Sequence, residues 1–384
     1  MKRPIGVSVT VALVGALAAL ALTGLSPGTL SVSAQQHAQA VEAGKLFDKF
    51  MSSHAPMIRA TGSVAPSSPG VTLGRSPGTI VSPSASSGSA TSTSSPSIQQ
   101  LTSYNWSGFA DVQNTTGTGP GSTGPGSQPL SSVSGSWTVP QVSCVSGLYQ
   151  NQDVFIANWV GLDGFNDGTV EQLGTGVECY ENVEYYYDWY EMFPNGTVQE
   201  GPLSCINDNV DCIRPGDRIQ ASVVSTPGTG SNAGSNVYQL KLTDFTTSGQ
   251  NFDVTATCPN NECVNSSAEW VVERPAFGIG PGGALFQILP QAYYGETGFQ
   301  DGTATVAGSG RFFNPWGSTI ENYPGLIYDI PMMDDSSGYI MSCPGQTSSP
   351  GQFLPFSPTA TNQPACPIVT PRFGNFTDTW DSSF

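Results

Sequence analysis

From Leu101 onward the chain is a succession of short runs rich in β-branched and aromatic residues, separated by clusters of Gly, Pro, Asn and Ser. Almost no window of 12 residues carries a helical period. The runs are Val133–Val139, Val154–Val160, Val183–Met192, Arg218–Ser225, Val237–Asp244, Phe252–Thr257, Glu269–Val272 and Thr303–Ala307. A helix bundle or a βαβ repeat cannot be written with such a pattern. It predicts one all-β domain over residues 101–384, a two-sheet antiparallel β-sandwich of jelly-roll or concanavalin-like type.

The first hundred residues read differently. Lys2 and Arg3 precede an apolar stretch from Val7 to Leu25, and Val32-Ser33-Ala34 offers a small-residue cleavage site, so residues 1–34 have the layout of a secretory signal peptide. The mature protein is expected to be secreted and extracellular, free of the membrane once the signal is removed. Val41, Leu46, Phe47, Phe50 and Met51 recur at helical intervals, which predicts a short amphipathic helix within residues 35–60. Residues 61–98 are dominated by Ser, Pro, Gly, Thr and Ala, a composition that buries too little apolar surface to order itself. Residues 35–100 are therefore expected to form a pro-segment and linker, as in a zymogen; the alternative is a disordered tail without a regulatory role.

Charge divides the chain at the same place. Residues 1–100 carry six basic residues against Glu42 and Asp48, whereas the remainder carries 27 acids and six basics within a total net charge of −17. That field repels nucleic acid and anionic membranes, so neither is an expected partner. Both histidines, His37 and His54, precede residue 100, which leaves the domain without serine–histidine or cysteine–histidine nucleophiles and without histidine-ligated zinc. All eight cysteines lie beyond residue 140 and read as a disulfide framework. Cys205–Cys212 and Cys258–Cys263 are natural local pairs, with Cys144–Cys179 and Cys343–Cys366 as the remainder, out of the roughly 105 connectivities that eight cysteines allow. The chemistry left to the domain must use carboxylates, amides, hydroxyls or Lys241.

Two motifs fail on context. Gly278–Gly283 satisfies GxGxxG but is interrupted by Pro281 and followed by no helix, so it reads as a loop. Asp163-Gly164-Phe165-Asn166-Asp167-Gly168 has a calcium-loop opening but Gly174 where the bidentate glutamate belongs, so it reads as a turn.

Three segments set isolated polar groups among aromatics: Asn158–Gly176, Tyr185–Pro194 and Ser267–Pro275. Side chains alternate along a strand, so Ala268, Trp270 and Val272 share one face while Glu269, Val271 and Glu273 share the other. Tyr187, Trp189 and Glu191 align likewise. If the Trp270 face is core, Glu269 faces a concave surface with apolar walls and is a candidate general base. The alternative is that these acids are solvated outer-face residues.

The WVGLDG, VEQLGTG, YYYDWYEMFP and AEWVVERP segments, with Asn105-Trp106-Ser107-Gly108 ahead of them, resemble those of the glutamic peptidases, or eqolisins, from about Tyr104 to the end. The resemblance is to a secreted member of bacterial or archaeal type. The sequence departs from the fungal members in its Leu-Gly-Thr-Gly after the glutamine, its long N-terminal tether and its extra cysteines. The resemblance implies a β-sandwich endopeptidase active in acid without cofactor, acting on protein and peptide substrates. It makes Glu269 the catalytic glutamate and Gln172 the catalytic glutamine, and it puts Trp159, Asp163 and Glu191 in the substrate cleft, where the strand alternation adds Trp189. A monomer is expected.

On this reading Glu269 takes a proton from water and returns it to the leaving amine, a role worth roughly 10²–10⁴-fold. The Gln172 amide donates to the oxyanion, worth about 2.7–4 kcal/mol. A glutamate that titrates near roughly 4.3 gives maximal activity below about pH 5, and a hydrogen bond from Gln172 to Glu269 is expected to keep it ionised at lower pH. Lys45, Lys49 and Arg59 are expected to lie over the acidic cleft. The rival readings are a carboxylate-pair glycoside hydrolase and a carbohydrate-binding or adhesion sandwich. Glu269 and Glu273 are about 13 Å apart along a strand, beyond the roughly 5–9.5 Å that glycosidases use, although Glu191 remains a possible partner.

Overall fold

The computed structural model describes residues 54–59, 98–113, 129–144, 154–180, 182–200, 212–229, 234–247, 250–279, 285–307, 312–313, 326–333, 340–345, 366 and 376–380. The expected signal peptide, almost all of the expected tether, Lys45, Lys49 and Cys205 lie outside them.

Two sheets account for nearly all the described chain. The first comprises β1 (Ile98–Gln100), β2 (Trp106–Val112), β4 (Val154–Leu162), β5 (Val170–Tyr180), β6 (Val183–Phe193), β7 (Val198–Gln199), β11 (Ser267–Glu273) and β16 (Leu326–Ile330), in the order β1-β16-β2-β11-β4-β5-β6-β7. The second comprises β3 (Leu130–Thr138), β8 (Arg218–Pro227), β9 (Asn236–Asp244), β10 (Gln250–Thr257), β14 (Glu296–Val306), β15 (Phe312–Phe313), β17 (Met332–Met333), β18 (Ile340–Gly345) and β19 (Phe376–Trp380). Its order is β10-β9-β8-β3-β14-β19-β18-β17, with β15 against β14. Pairing is antiparallel throughout both sheets except between β1 and β16. The architecture is the all-β sandwich that the strand pattern predicted. Gly278 and Ile279, read as loop in the sequence, lie in β12 (Ala276–Ile279), which pairs with β13 (Leu285–Ile288) in a separate hairpin.

The sequence alternation decides which faces meet. Phe109, Val160, Leu173, Trp270 and Val272 of the first sheet pack against Val133, Trp137, Val223, Leu240 and Phe299 of the second, forming the inter-sheet core. Trp270 reaches across the interface, where its indole N–H donates to the Ser134 carbonyl at 2.8 Å. Gly135 makes that approach possible, because a Cβ there would sit 2.9 Å from the indole ring. The opposite face of the first sheet carries a second apolar cluster that includes Trp106, Ala157, Trp159, Tyr187, Trp189 and Val271. Burial on both faces is why β4 and β11 read as unbroken buried runs rather than as half-exposed strands.

Three expected disulfides are present: Cys144–Cys179, Cys258–Cys263 and Cys343–Cys366, with Cα–Cα distances of 5.4, 5.8 and 5.7 Å. Cys212 is also disulfide-bonded. Cys144–Cys179 fastens the chain after β3 to the end of β5, and Cys258–Cys263 closes the connection from β10 into β11.

Candidate active site

The register of the first sheet puts the singled-out residues in rows across neighbouring strands. Glu191 on β6 pairs with Gln172 on β5, Gln172 with Gly161 on β4, and Gly161 with Glu269 on β11. Gln172 and Glu269 therefore lie on one face with a single strand between them, their backbones about 10 Å apart at two interstrand spacings. The next row holds Trp189, Gly174, Trp159 and Val271, and the one after it Tyr187, Gly176, Ala157 and Glu273. Glu269 thus faces away from the inter-sheet core, as the alternation predicted, yet it is fully buried, as are Gln172, Glu191 and Glu273. The reading of these acids as solvated outer-face residues is corrected by that burial. An aromatic wall flanks them on the sheet and residues 54–59 cross their face.

Glycine in the middle strands leaves room for the large rings beside it. A Cβ on Gly174 would come within 2.6 Å of the Trp159 Cβ, and one on Gly161 would meet the Trp159 ring at 2.9 Å and the Gln172 Cβ at 3.1 Å. Trp159 is held edge-to-face against Trp106, with ring centroids 4.9 Å apart, and its indole N–H donates to Glu273 Oε2 at 2.8 Å.

Residues 54–59 run without helix over these rows, whereas Val41–Met51, on which the expected helix rests, lie outside the described residues. The main-chain N–H of His54 donates to Glu191 Oε2 at 2.6 Å, and the His54 carbonyl accepts from Gln172 Nε2 at 2.7 Å. The imidazole stacks on Trp189, with centroids 3.6 Å apart and planes 5° apart, and its Nδ1 lies 2.8 Å from Glu273 Oε2. The Trp106 indole donates to the Ala55 carbonyl at 3.2 Å, Met57 N–H to the Gly164 carbonyl at 3.1 Å, and Ile58 N–H to Asn105 Oδ1 at 2.7 Å. Main chain of the turn after β4 and of the segment ahead of β2, the Trp106 indole, the Asn105 amide and the Trp189 ring hold the segment. Arg59 donates to the Phe165 carbonyl and to Asn166 and lies over the Phe165 ring, so it does not face a carboxylate as expected.

Burial dominates the protonation of the site. It pushes the carboxyls of Glu269, Glu191 and Glu273 well above the usual range. The His54 N–H and Thr197 oppose the shift at Glu191. Burial takes the His54 imidazole down to about 3. His54 and Glu273 accordingly share one proton as a neutral pair. Neither Glu269 oxygen has a hydrogen-bond partner among the described residues. The expected bond from Gln172 to Glu269 is absent: the Gln172 amide is directed to the His54 carbonyl and, at 3.5 Å, to Glu191.

Asp163, which the resemblance put in the substrate cleft, caps the loop that leads into β11. It sits at φ 68° where β4 ends, and its carboxylate accepts from the backbone N–H groups of Val264, Asn265 and Ser266 at 2.9, 2.8 and 2.6 Å. Asp167 accepts from Gly164 N–H at 2.9 Å and from the Ser266 hydroxyl at 2.6 Å. The calcium-like hexapeptide is thus a capped turn that fixes where β11, and with it Glu269, begins.

Two carboxylates and a carboxamide in one row of the sheet, with a peptide carbonyl on the carboxamide, make a site suited to amide hydrolysis. The Peptidase A4 family profile matches residues 104–324. The chain belongs to that family, the glutamic peptidases. As a family member it is a glutamic endopeptidase, and the glycosidase and adhesion readings are set aside. No curated protein matches the chain significantly. Among solved structures it is similar to scytalido-glutamic peptidase with a transition-state analogue inhibitor (16% identity, TM-score 0.43, 72% of this chain and 98% of that one). It is similar also to SCP-B, an eqolisin solved with the tripeptide Ala-Ile-His (16%, TM-score 0.40, 72% and 98%). A third is aspergilloglutamic peptidase from Aspergillus niger (20%, TM-score 0.35, 59% and 99%).

Within this glutamic peptidase, sequence reasoning named Glu269, Gln172, Trp159, Trp189 and Glu191, and the fold gathers them on one face. It missed His54 and Asn105 as cleft residues, and it had Glu273 on the right face without a partner. The histidine-free domain turned attention away from His54, although its position just ahead of the Ser/Pro/Gly tether marks the last residue pattern able to dock.

Proposed function

We propose that this peptidase is exported, works in acid, and hydrolyses peptide bonds with water activated by Glu269 and an oxyanion stabilised by Gln172. The observation that carries this reading is the bond from Gln172 Nε2 to the His54 peptide carbonyl, with Glu269 in the same row and its carboxyl uncommitted. Ionised Glu269 removes a proton from water as the oxygen adds to the carbonyl carbon. The carbonyl oxygen becomes an oxyanion facing the Gln172 amide, which is preorganised by its second contact to Glu191. Glu269, now protonated, gives the proton to the departing nitrogen. Burial raises the proton affinity of Glu269, which makes it a stronger base when ionised. Trp159, Trp189 and Trp106 wall the cleft, and Glu191 and Glu273 receive substrate N–H groups. In the exported precursor residues 35–100 serve as the pro-segment, with residues 54–59 closing the cleft. Digestion of a denatured protein at acid pH by the wild type and by Glu269→Gln tests the reading, which requires the variant to be inactive.

A further inference from the structure

The main chain around His54 is handled as a substrate would be. Its N–H is bound by Glu191, its carbonyl oxygen by the Gln172 amide, and the next carbonyl, of Ala55, by Trp106 and Asn105. Chain on both sides of the His54–Ala55 bond is therefore fixed, and both residues are fully buried. The His54 carbonyl lies on the Gln172 amide, the oxyanion donor of the proposed mechanism, at 2.7 Å. The side chain preceding that bond enters a pocket with two specific walls. The Trp189 ring takes the flat face of the imidazole, and Glu273, oriented by the Trp159 indole, meets Nδ1.

We propose that residues 54–59 are the first substrate of their own chain: His54–Ala55 is the bond presented for hydrolysis, and the pocket of Trp189 and Glu273 is the subsite that selects a histidine before the cut. This rests on the roles given above to Gln172 and Glu269. Water adds to the His54 carbonyl carbon and yields a proton to Glu269. The C–N bond to Ala55 then breaks as Glu269 protonates the Ala55 nitrogen, leaving a His54 carboxylate and an Ala55 amine, with water the sole co-reactant. The Ala55 side of the cut stays seated through Met57, Ile58 and Arg59, whose bonds to Gly164, Asn105 and Phe165 do not involve His54. An aliphatic residue at position 54 fills the ring contact in part but leaves Glu273 without its imidazole partner, and sites built around a hydrogen bond discriminate strongly against analogues that lack it.

The test uses the full chain, wild type and Glu269→Gln, held at acid pH and followed by intact mass and N-terminal sequencing, beside digestion of a denatured protein. Peptides spanning residues 50–60 are assayed with His54 and with leucine in its place. The expected results are an Ala55 N-terminus in the wild type alone, formed at a rate unchanged by dilution, and a preference for the histidine peptide of about tenfold or more. Digestion of the denatured protein with His54–Ala55 left intact would overturn the proposal while the peptidase reading stands. So would equal rates on the two peptides, or a rate of cutting that rises with protein concentration. Failure to digest any substrate would instead remove the catalytic reading on which it rests.

Discussion

The side-chain amide of Gln172 donates to the main-chain carbonyl of His54 across 2.7 Å, and it does so one strand away from Glu269. That relationship ties the chemistry of the site to a specific donor. Gln172→Ala should lower kcat by roughly 10²–10³, the usual cost of one oxyanion donor, with thermal stability nearly unchanged. Steady-state kinetics on a peptide substrate checks it. A loss confined to KM would mean that the amide only binds.

Gly161 separates Gln172 from Glu269 in their row. Gly161→Ala drives a methyl to within 3.1 Å of the Gln172 Cβ and 2.9 Å of the Trp159 ring, so the carboxamide must shift. Misplacement of this kind costs about 10²-fold in rate. The expected signature is a kcat loss larger than the loss of stability, read by comparing kcat with the denaturation midpoint.

Asp163 should matter for folding first. Asp163→Ala strands the N–H groups of Val264, Asn265 and Ser266, three donors at the start of β11. Of the three residues only Asn265 is buried; one orphaned buried donor costs about 1–3 kcal/mol, and a loss of that size in chemical denaturation is expected. Activity per folded molecule should fall less than in Gln172→Ala.

How far the sequence revealed these relationships depends on which physical signal carried them. Strand alternation alone put Trp270 in the core and Glu269 opposite it, because period-two patterning survives any register. The row from Glu191 through Gln172 and Gly161 to Glu269 depends on register across four strands, which no local pattern encodes; only the resemblance brought Gln172 and Glu269 together. The capping bonds of Asp163 were not legible, because they depend on a left-handed backbone and on a loop a hundred residues away.

Stability should depend on pH in a direction set by buried acids. Burial raises Asp163 to about 7 and Asp378 to about 6, and moves Asp111 and Glu171 upward as well. The fold therefore holds these protons more tightly than the unfolded chain does. Their contribution is complete below the ordinary carboxyl range near roughly 4 and is lost as pH rises through about 6 to 7. His54, lowered to about 3, acts in the opposite sense on the docked segment alone, favouring it above roughly 6.5. Melting temperature should fall between about pH 4 and pH 7; a rise across that interval would contradict the assignment.

The most direct measurement is kcat/KM of Glu269→Gln against wild type on one peptide at acid pH, with circular dichroism to establish that both are folded. The account predicts a loss of at least roughly 10³-fold for removing the base that also serves as the acid. A folded variant that retains activity within about tenfold of wild type would contradict it.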